Sequence, residues 1–344
     1  MLFDPKAIGA LFVTFLLVML PPLASAEPTN VQVGFQQVNI TADGETLVGG
    51  IWYPSTGVPV SNAIGPYTQY VVPSGPVSGQ RLPLVVISHG GGGSYASHFD
   101  TAVALARAGF VVASISHAGD TFDDQSKVLM IWRRAPQLSR LIDYVLNDWS
   151  SHGQVDADQI GGYGFSNGGF TMLVEAGGTP DVLKIDDYCK VNPQHDLCTT
   201  LRSAGIQSVA SVIVPPSDAW KADSRIRAIA LAAPAFDFTF DRSGLSTVNI
   251  PVQLWRGAKD RHQPDPWYET YLNTVLPRGA DYRVVPDAGH YAFLPPCPKT
   301  LAEANPDICV DEPGFDRQAF HNQLNAELVK FFNATLRGGK KTAE

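Results

Sequence analysis

Ser166 lies at the centre of a G-x-S-x-G motif, residues 164–168, between a run that can end a strand and one that can begin a helix. This pattern predicts a tight strand-to-helix turn that holds the serine in strained backbone angles with its hydroxyl projecting outward. The flanking glycines are required because a Cβ at either position would collide with the neighbouring strand or helix. The helix amino terminus would place N–H groups beneath the reacting atom. We interpret Ser166 as a nucleophile; taken alone, the motif also fits any glycine-rich turn before a helix.

A serine hydroxyl becomes a good nucleophile only when a base takes its proton and a third group orients that base. Of the eight histidines, only His290 and His321 follow all the predicted strands, and His321 lies inside the last predicted helix. His290 comes just after the predicted strand 282–285, where a loop would carry it over the carboxyl edge of the sheet. We predict that His290 is the base; a structural loop histidine is the alternative.

The orienting acid should follow the preceding strand, because acid and then histidine is the chain order in sheets of this type. Asp260 lies one short turn after the predicted strand 252–255, and Asp265 and Asp237 are its competitors. The charge of Asp260 would orient the imidazole and stabilise the imidazolium without taking the proton.

Residues 88–93 read Ser-His-Gly-Gly-Gly-Gly and follow a buried strand, where a loop that binds a developing oxyanion belongs. We assign the donors to the backbone amides of Gly91 and Asn167. A phosphate cradle is the alternative for a glycine-rich loop, but the chain has neither G-x-x-x-x-G-K-[ST] nor G-x-G-x-x-G with a downstream acid. No nucleotide or other cofactor is therefore predicted.

Two further groups of side chains lie near these loops. His117, Asp120, Asp123 and Asp124 could form a metal site, but a polar loop near the pocket mouth is the favoured interpretation, so no metal is predicted. Aromatic residues that flank the catalytic loops are predicted to line an acyl pocket, although each could instead be core. They are Tyr95, Trp132, Phe165, Tyr291 and Phe293.

The elements that must position these residues alternate between strand and helix. Strands are predicted at 31–40, 46–53, 82–88, 110–115, 159–163, 226–231, 252–255 and 282–285, and helices at 99–108, 135–146, 168–175 and 320–336. This alternation specifies the α/β class, with a doubly wound, mostly parallel sheet and helices on both faces. Residues 54–79 are rich in Pro, Gly and Ser and are predicted to be a surface loop, with at most a short strand at 67–72.

Residues 27–344 are predicted to form a single domain with one long interruption at 177–223. That segment has no clear hydrophobic period, and a loop of such length is usually functional. A lid is the prediction, and a surface excursion without a role is the alternative.

Composition excludes several classes of protein. Of the 344 residues 44% are hydrophobic and 17% charged, which suits a folded core and not a disordered chain or coiled coil. The net charge of −8 provides no basic patch for nucleic acid or anionic lipid. The partner predicted is a small molecule, and the protein itself a monomer or weak homo-oligomer.

Residues 1–26 resemble a secretory signal, with a cation at Lys6, an apolar run at 7–20 and small residues at 24–26. A membrane anchor is the alternative, but the apolar run is shorter than a bilayer span. The mature chain is predicted to be secreted or periplasmic, with no stable membrane anchor.

Four cysteines in an exported chain predict two disulfides. Three connectivities are possible, and closeness in sequence favours Cys189 with Cys198 and Cys297 with Cys309. Zinc is the competitor, but neither pair has C-x2-C spacing.

These motifs together resemble the α/β-hydrolase superfamily. The glycine loop at 88–93, the serine motif, Gly257-x-x-Asp260 and residues 288–294 carry the likeness. More narrowly, the chain from about 35 to 336 is similar to the bacterial "predicted dienelactone hydrolase" group, related to platelet-activating-factor acetylhydrolases. The resemblance implies serine-ester hydrolysis with Ser166, Asp260 and His290 as triad.

Two departures limit what this resemblance implies. Dienelactone hydrolases use a cysteine nucleophile where this chain has Ser166, so lactone opening is not implied. The related acetylhydrolases carry their acid after an earlier strand, where this chain reads Ala232-Ala233, which favours Asp260.

The sequence therefore predicts an exported serine hydrolase that cleaves carboxylic esters through an acyl-enzyme. An acyltransferase or thioesterase with the same triad is one alternative, and an esterase that degrades polymers is another. A hydrolase-fold binding protein without catalysis is the non-enzyme alternative.

Overall fold

The computed structural model describes residues 31–42 and 44–338, so the predicted signal segment lies outside the described residues. Their strands are β1 (Gln32–Ala42), β2 (Glu45–Ser55), β3 (Val60–Ile64), β4 (Tyr67–Pro73), β5 (Leu82–Ser88), β6 (Val111–Ile115), β7 (Val155–Phe165), β8 (Ile226–Ala232), β9 (Val252–Gly257) and β10 (Asp281–Val285). They form one sheet in the order β10-β9-β8-β7-β5-β6-β2-β1-β4-β3.

The six strands from β10 to β6 in this order run parallel to their neighbours. β2 pairs antiparallel with both β6 and β1, so the hairpin of the first two strands extends the parallel sheet on one side. Every residue of β5 and β6 is buried, because both strands lie at the centre of the sheet, and all but one residue of each is apolar. The mostly parallel α/β sheet expected from the sequence is confirmed.

Nine α-helices occur in the described residues. They are α1 (Phe99–Arg107), α2 (Arg134–Asp143), α3 (Asn167–Glu175), α4 (Lys184–Val191), α5 (Asp196–Ser203), α6 (Glu269–Val275), α7 (Lys299–Ala304), α8 (Pro306–Cys309) and α9 (Arg317–Phe332). None of these described helices is long and apolar enough to span a bilayer.

Two apolar cores lie on the two faces of the sheet, as a doubly wound fold requires. Side chains of α2, α3 and α6 belong to one core, and those of α1 and α9 belong to the other. α9 shows the sequence reason for its placement, since Phe320, Leu324, Leu328 and Phe332 recur every four residues and all are buried. The side chain of Asp316 caps this helix by accepting the amide of Ala319 at 2.9 Å.

The predicted loop at 54–79 proved more ordered than expected. It contains a hairpin of β3 and β4, so the short strand expected at 67–72 is confirmed and its partner was missed. Turn-forming residues dominate the composition here, and the turn itself uses Gly65 with a φ of 53°.

The interruption at 177–223 contains two short helices, α4 and α5, which the sequence did not predict. The disulfide Cys189–Cys198 joins them, and the predicted pairing Cys297–Cys309 is present near α7 and α8. The buried residues of α4 and α5 pack in a separate small core, together with Phe238 and Tyr268. Each helix has only two buried side chains, too few to produce a readable period.

Candidate active site

Ser166 lies in the turn between β7 and α3, with φ of 54° and ψ of −120°. These angles are rare for a residue with a Cβ and persist only where the surroundings enforce them. The amide of Ser166 donates to the carbonyl of Ala232 at 3.0 Å, so the neighbouring strand β8 helps to hold the turn. The sharp strand-to-helix turn predicted from the motif is present.

The glycines of the motif are required by close backbone contacts. A Cβ on Gly168 would lie 1.9 Å from the carbonyl oxygen of Ser88, and a Cβ on Gly164 would lie 2.2 Å from the carbonyl oxygen of Gly168. Backbone atoms cannot move away as a flexible side chain can. The first turn of α3 therefore packs directly against β7 and the end of β5.

The three predicted triad residues converge at this turn. His290 Nε2 lies 3.2 Å from Ser166 Oγ, and His290 Nδ1 lies 2.7 Å from Asp260 Oδ2. Asp260 follows β9 and His290 follows β10, so both side chains come from the carboxyl edge of the sheet. In this arrangement the imidazole can accept the serine proton at Nε2 while Nδ1–H donates to the carboxylate.

Asp260 is held as a carboxylate by its surroundings. Its side chain is buried, and Oδ1 accepts the backbone amides of His262 and Gln263 at 2.8 Å each. Burial raises the pKa of Asp260, but the charge and hydrogen bond of His290 and the two amides outweigh it, so the pKa lies below its usual value. The acid thus remains ionised beside the histidine.

The two competitors for the acid position lie elsewhere. Asp265 forms an ion pair with Arg256 at 3.4 Å. Asp237 is fully buried, and neither of its carboxyl oxygens has a hydrogen-bond partner among the described residues. Only Asp260 of these three contacts His290.

Asp237 belongs to a buried carboxyl pair with Glu269 that the sequence did not reveal. Both oxygens of Glu269 also lack a hydrogen-bond partner in the described part of the chain. Burial and then the neighbouring Glu269 raise the pKa of Asp237 well above its usual value. Burial and then the charge of Asp260 do the same to the pKa of Glu269, so the surroundings of both carboxyls favour the protonated form.

The glycine loop after β5 approaches the serine as predicted. A Cβ on Gly91 would lie 2.8 Å from the side-chain nitrogen of Asn167, so the loop backbone and the first residue of α3 are in contact. No hydrogen bond within residues 31–42 or 44–338 uses the amide of Gly91 or of Asn167. Two free donors beside the serine hydroxyl could stabilise an oxyanion.

A buried ion pair of Arg134 and Asp120, the anchor pair, fixes this loop. Arg134 Nη1 lies 2.5 Å from Asp120 Oδ2, and both side chains are almost fully buried. Asp120 Oδ1 accepts the amide of Gly92 at 2.9 Å, and Arg134 Nη2 donates to the carbonyl of His89. The pair therefore contacts the glycine loop at His89 and at Gly92, a role that no sequence pattern indicated.

The residues considered as a metal cluster have other partners. His117 Nε2 lies 2.9 Å from Ser88 Oγ, and its Nδ1 lies 2.9 Å from Gln137 Oε1. Asp123 and Asp124 are exposed and accept hydrogen bonds from their own loop. Asp120 belongs to the anchor pair, so the loop is divided between a buried network and a solvated edge.

A cleft of about 210 Å³ opens over the serine. Besides Ser166 and His290, its lining includes polar side chains that the sequence did not point to. His262, whose ring centroid lies 5.2 Å from that of His290, is one of them, and its Nδ1 lies 3.6 Å from Asp196 of α5. Thus the interruption at 177–223 contributes directly to one wall of the cleft.

Of the five aromatic residues predicted to line a pocket, Phe165 and Tyr291 do line the cleft. Phe293 instead points into the core beneath Phe165, because the short turn after His290 directs it inward. Trp132 packs against the small core of α4 and α5, and the hydroxyl of Tyr95 donates to the side chain of Gln37 on β1. The pocket prediction is therefore corrected for Phe293, Trp132 and Tyr95.

Sequence comparison gives no family, since no family model matches and no curated protein matches. Solved structures do match. A ferulic acid esterase from Streptomyces cinnamoneus has a TM-score of 0.62 at 18% identity and covers 91% of this chain and 93% of its own. A dienelactone hydrolase from Anabaena variabilis has a TM-score of 0.49 at 15% identity and covers 89% of this chain and 99% of its own.

The esterase comparison and the strand order establish that this chain has the α/β-hydrolase fold. The expectation from the motif resemblance is confirmed at the level of the fold. Chemistry is a separate question, because one fold hosts many functions.

Proposed function

We propose that this protein is a serine hydrolase that cleaves carboxylic esters through an acyl-enzyme intermediate. The observation that carries the proposal is the chain of contacts from Ser166 Oγ to His290 at 3.2 Å and from His290 to Asp260 at 2.7 Å. A fold neighbour named a ferulic acid esterase agrees with this class of reaction.

The proposed reaction has two halves. Ser166 Oγ attacks the ester carbonyl as His290 Nε2 takes its proton, and the developing oxyanion accepts hydrogen bonds from the amides of Asn167 and Gly91. His290 then gives the proton to the leaving alcohol, which leaves Ser166 acylated. Water, activated by the same imidazole, releases the acid, and Asp260 orients the ring throughout.

The test compares wild type with Ser166→Ala on p-nitrophenyl esters from acetyl to long acyl. We expect kcat to fall at least ~10⁴-fold in the variant, since removing one triad member disables the unit. Ser246→Ala is the matched control, because Ser246 is exposed and bonds only its own turn. Intact-mass analysis of quenched wild type should find one acyl adduct, absent from Ser166→Ala. Equal rates for wild type and Ser166→Ala would refute the proposal and favour a binding role.

We also infer that the mature protein is exported. Two disulfides and the absence of a free cysteine support an oxidising compartment, together with the signal-like sequence at 1–26. Thiol titration of the denatured, unreduced protein should find no free thiol. Four free thiols would contradict the inference.

A further inference from the structure

A second cavity, of about 270 Å³, lies beside the cleft and is mostly apolar. Phe170 of α3 forms its floor, while Ile185 of α4, Leu201 of α5 and Ile213 form its roof. The interruption at 177–223 thus closes an apolar chamber over the helix that follows the serine. None of the three triad residues lines it.

The chamber and the cleft share a wall. Asn167, Leu197 and Phe236 line both of them, so a group bound at the serine needs to pass only these side chains to reach the chamber. Phe236 holds a left-handed backbone conformation, with φ of 59° and ψ of 28°, and its ring lies edge-on to Phe170 with centroids 6.0 Å apart. Residues in such sparsely populated backbone conformations are often found at sites that bind ligands.

The direction of the proposed reaction decides which half of the substrate would enter. The leaving oxygen must receive its proton from His290 Nε2, so the alcohol lies on the His290 side of the serine. That side of the cleft carries His262 and Gln263, both with polar side chains. The acyl half must then extend away from His290, toward Asn167 and α3, which is where the chamber begins.

We propose that this chamber is an acyl-binding pocket that takes an aliphatic chain of about ten carbon atoms or fewer. The proposal rests on the proposed ester hydrolysis and adds its substrate class. An engineered apolar cavity of about 150 Å³ holds the six carbons of benzene, and the chamber is nearly twice as large. By the same volume per atom it holds roughly ten non-hydrogen atoms.

A chain that fits should gain affinity with every CH₂ until the chamber is full. Burying one CH₂ should raise kcat/KM about fourfold when all of its binding free energy is also realised in the transition state. The gain should stop near octanoyl to decanoyl, because the roof is tied across α4 and α5 by the disulfide Cys189–Cys198. Longer chains would have to displace that roof.

The experiment measures kcat/KM for p-nitrophenyl esters from C2 to C16 with three variants. Leu201→Trp fills the chamber, Ile185→Ala enlarges it, and Leu183→Trp places the same new ring on an exposed position of the interruption. Each variant is reported as the ratio of octanoate to acetate kcat/KM, which cancels any loss of folded protein. Wild type should peak at C8–C10.

Leu201→Trp should lower the ratio at least tenfold, Ile185→Ala should move the optimum by about two carbons to longer chains, and Leu183→Trp should match wild type. A wild-type profile without an optimum, or one unchanged by both chamber variants, would overturn the pocket while acetate hydrolysis still supported the esterase. Failure to hydrolyse any ester would instead overturn the proposed function, and the pocket with it.

Discussion

Two buried pairs of ionisable side chains lie near the candidate active site, and they differ in how burial of the charge is compensated. One is the anchor pair of Arg134 and Asp120, and the other is the carboxyl pair of Asp237 and Glu269. Arg134 and Asp120 are oppositely charged, 2.5 Å apart, and bonded to the loop that carries Gly91. The two carboxyls have no hydrogen-bond partner for their oxygens among the described residues, and the pKa of each is raised well above its usual value. Burial alone therefore does not determine whether a side chain is ionised; the presence of an oppositely charged partner does.

The largest effect should come from breaking the anchor pair. Arg134→Met leaves the buried Asp120 without its cation, and breaking a buried pair in this way costs ~3–5 kcal/mol of the free energy of unfolding. We also expect kcat to fall more than KM rises, because the glycine loop loses its support. Urea unfolding and ester kinetics measure the two effects.

Arg140→Met is the matched control, since Arg140 lies on the same helix but is exposed and forms long ion pairs. It should change the free energy of unfolding by no more than about 1 kcal/mol. The double variant Arg134→Met/Asp120→Asn should recover part of the loss, because it removes the uncompensated charge. Equal losses from Arg134→Met and Arg140→Met would remove the distinction between buried and exposed pairs.

A smaller effect should come from the pH dependence that the carboxyl pair imposes. Because the folded pKa of Glu269 is raised, the folded chain keeps a proton that the unfolded chain releases above about pH 4.3. The free energy of unfolding should therefore fall as pH rises, by about 1.4 kcal/mol per pH unit for each such carboxyl, until the raised pKa is reached.

Glu269→Gln should make this slope shallower by the contribution of one carboxyl, about 1.4 kcal/mol per pH unit. Glu303→Gln, which changes an exposed side chain, should leave the slope unchanged. Urea unfolding from pH 5 to 9 measures both slopes. Identical slopes for wild type and Glu269→Gln would mean that Glu269 ionises in the folded protein. The carboxyl pair would then not differ from the anchor pair in its ionisation.

Local patterns were enough to predict the parts of the site that depend on backbone topology. Ser166, Asp260 and His290 each follow a strand of the parallel sheet, so chain order alone predicts that they lie at one edge. The glycines of the serine motif likewise report a contact between adjacent segments. These predictions used the rule that the carboxyl ends of parallel strands lie together.

Features that depend on distant partners were not predictable. Glu269 lies 32 residues from Asp237 in sequence, and nothing local indicates that two acids will share one buried space. Closeness in sequence was also misleading for Phe293, which lies three residues after His290 but points into the core. The direction of a side chain after a tight turn depends on packing, and a pattern of residue types does not carry it.

The close approach of Gly168 to the carbonyl oxygen of Ser88 has a consequence for protein engineering. An alanine there would place its methyl carbon 1.9 Å from that oxygen, so even the smallest replacement forces the serine turn away from β5. Libraries that aim to change selectivity should therefore leave this glycine alone and diversify Leu197 and Phe236. Both side chains line the cleft at the serine as well as the apolar chamber.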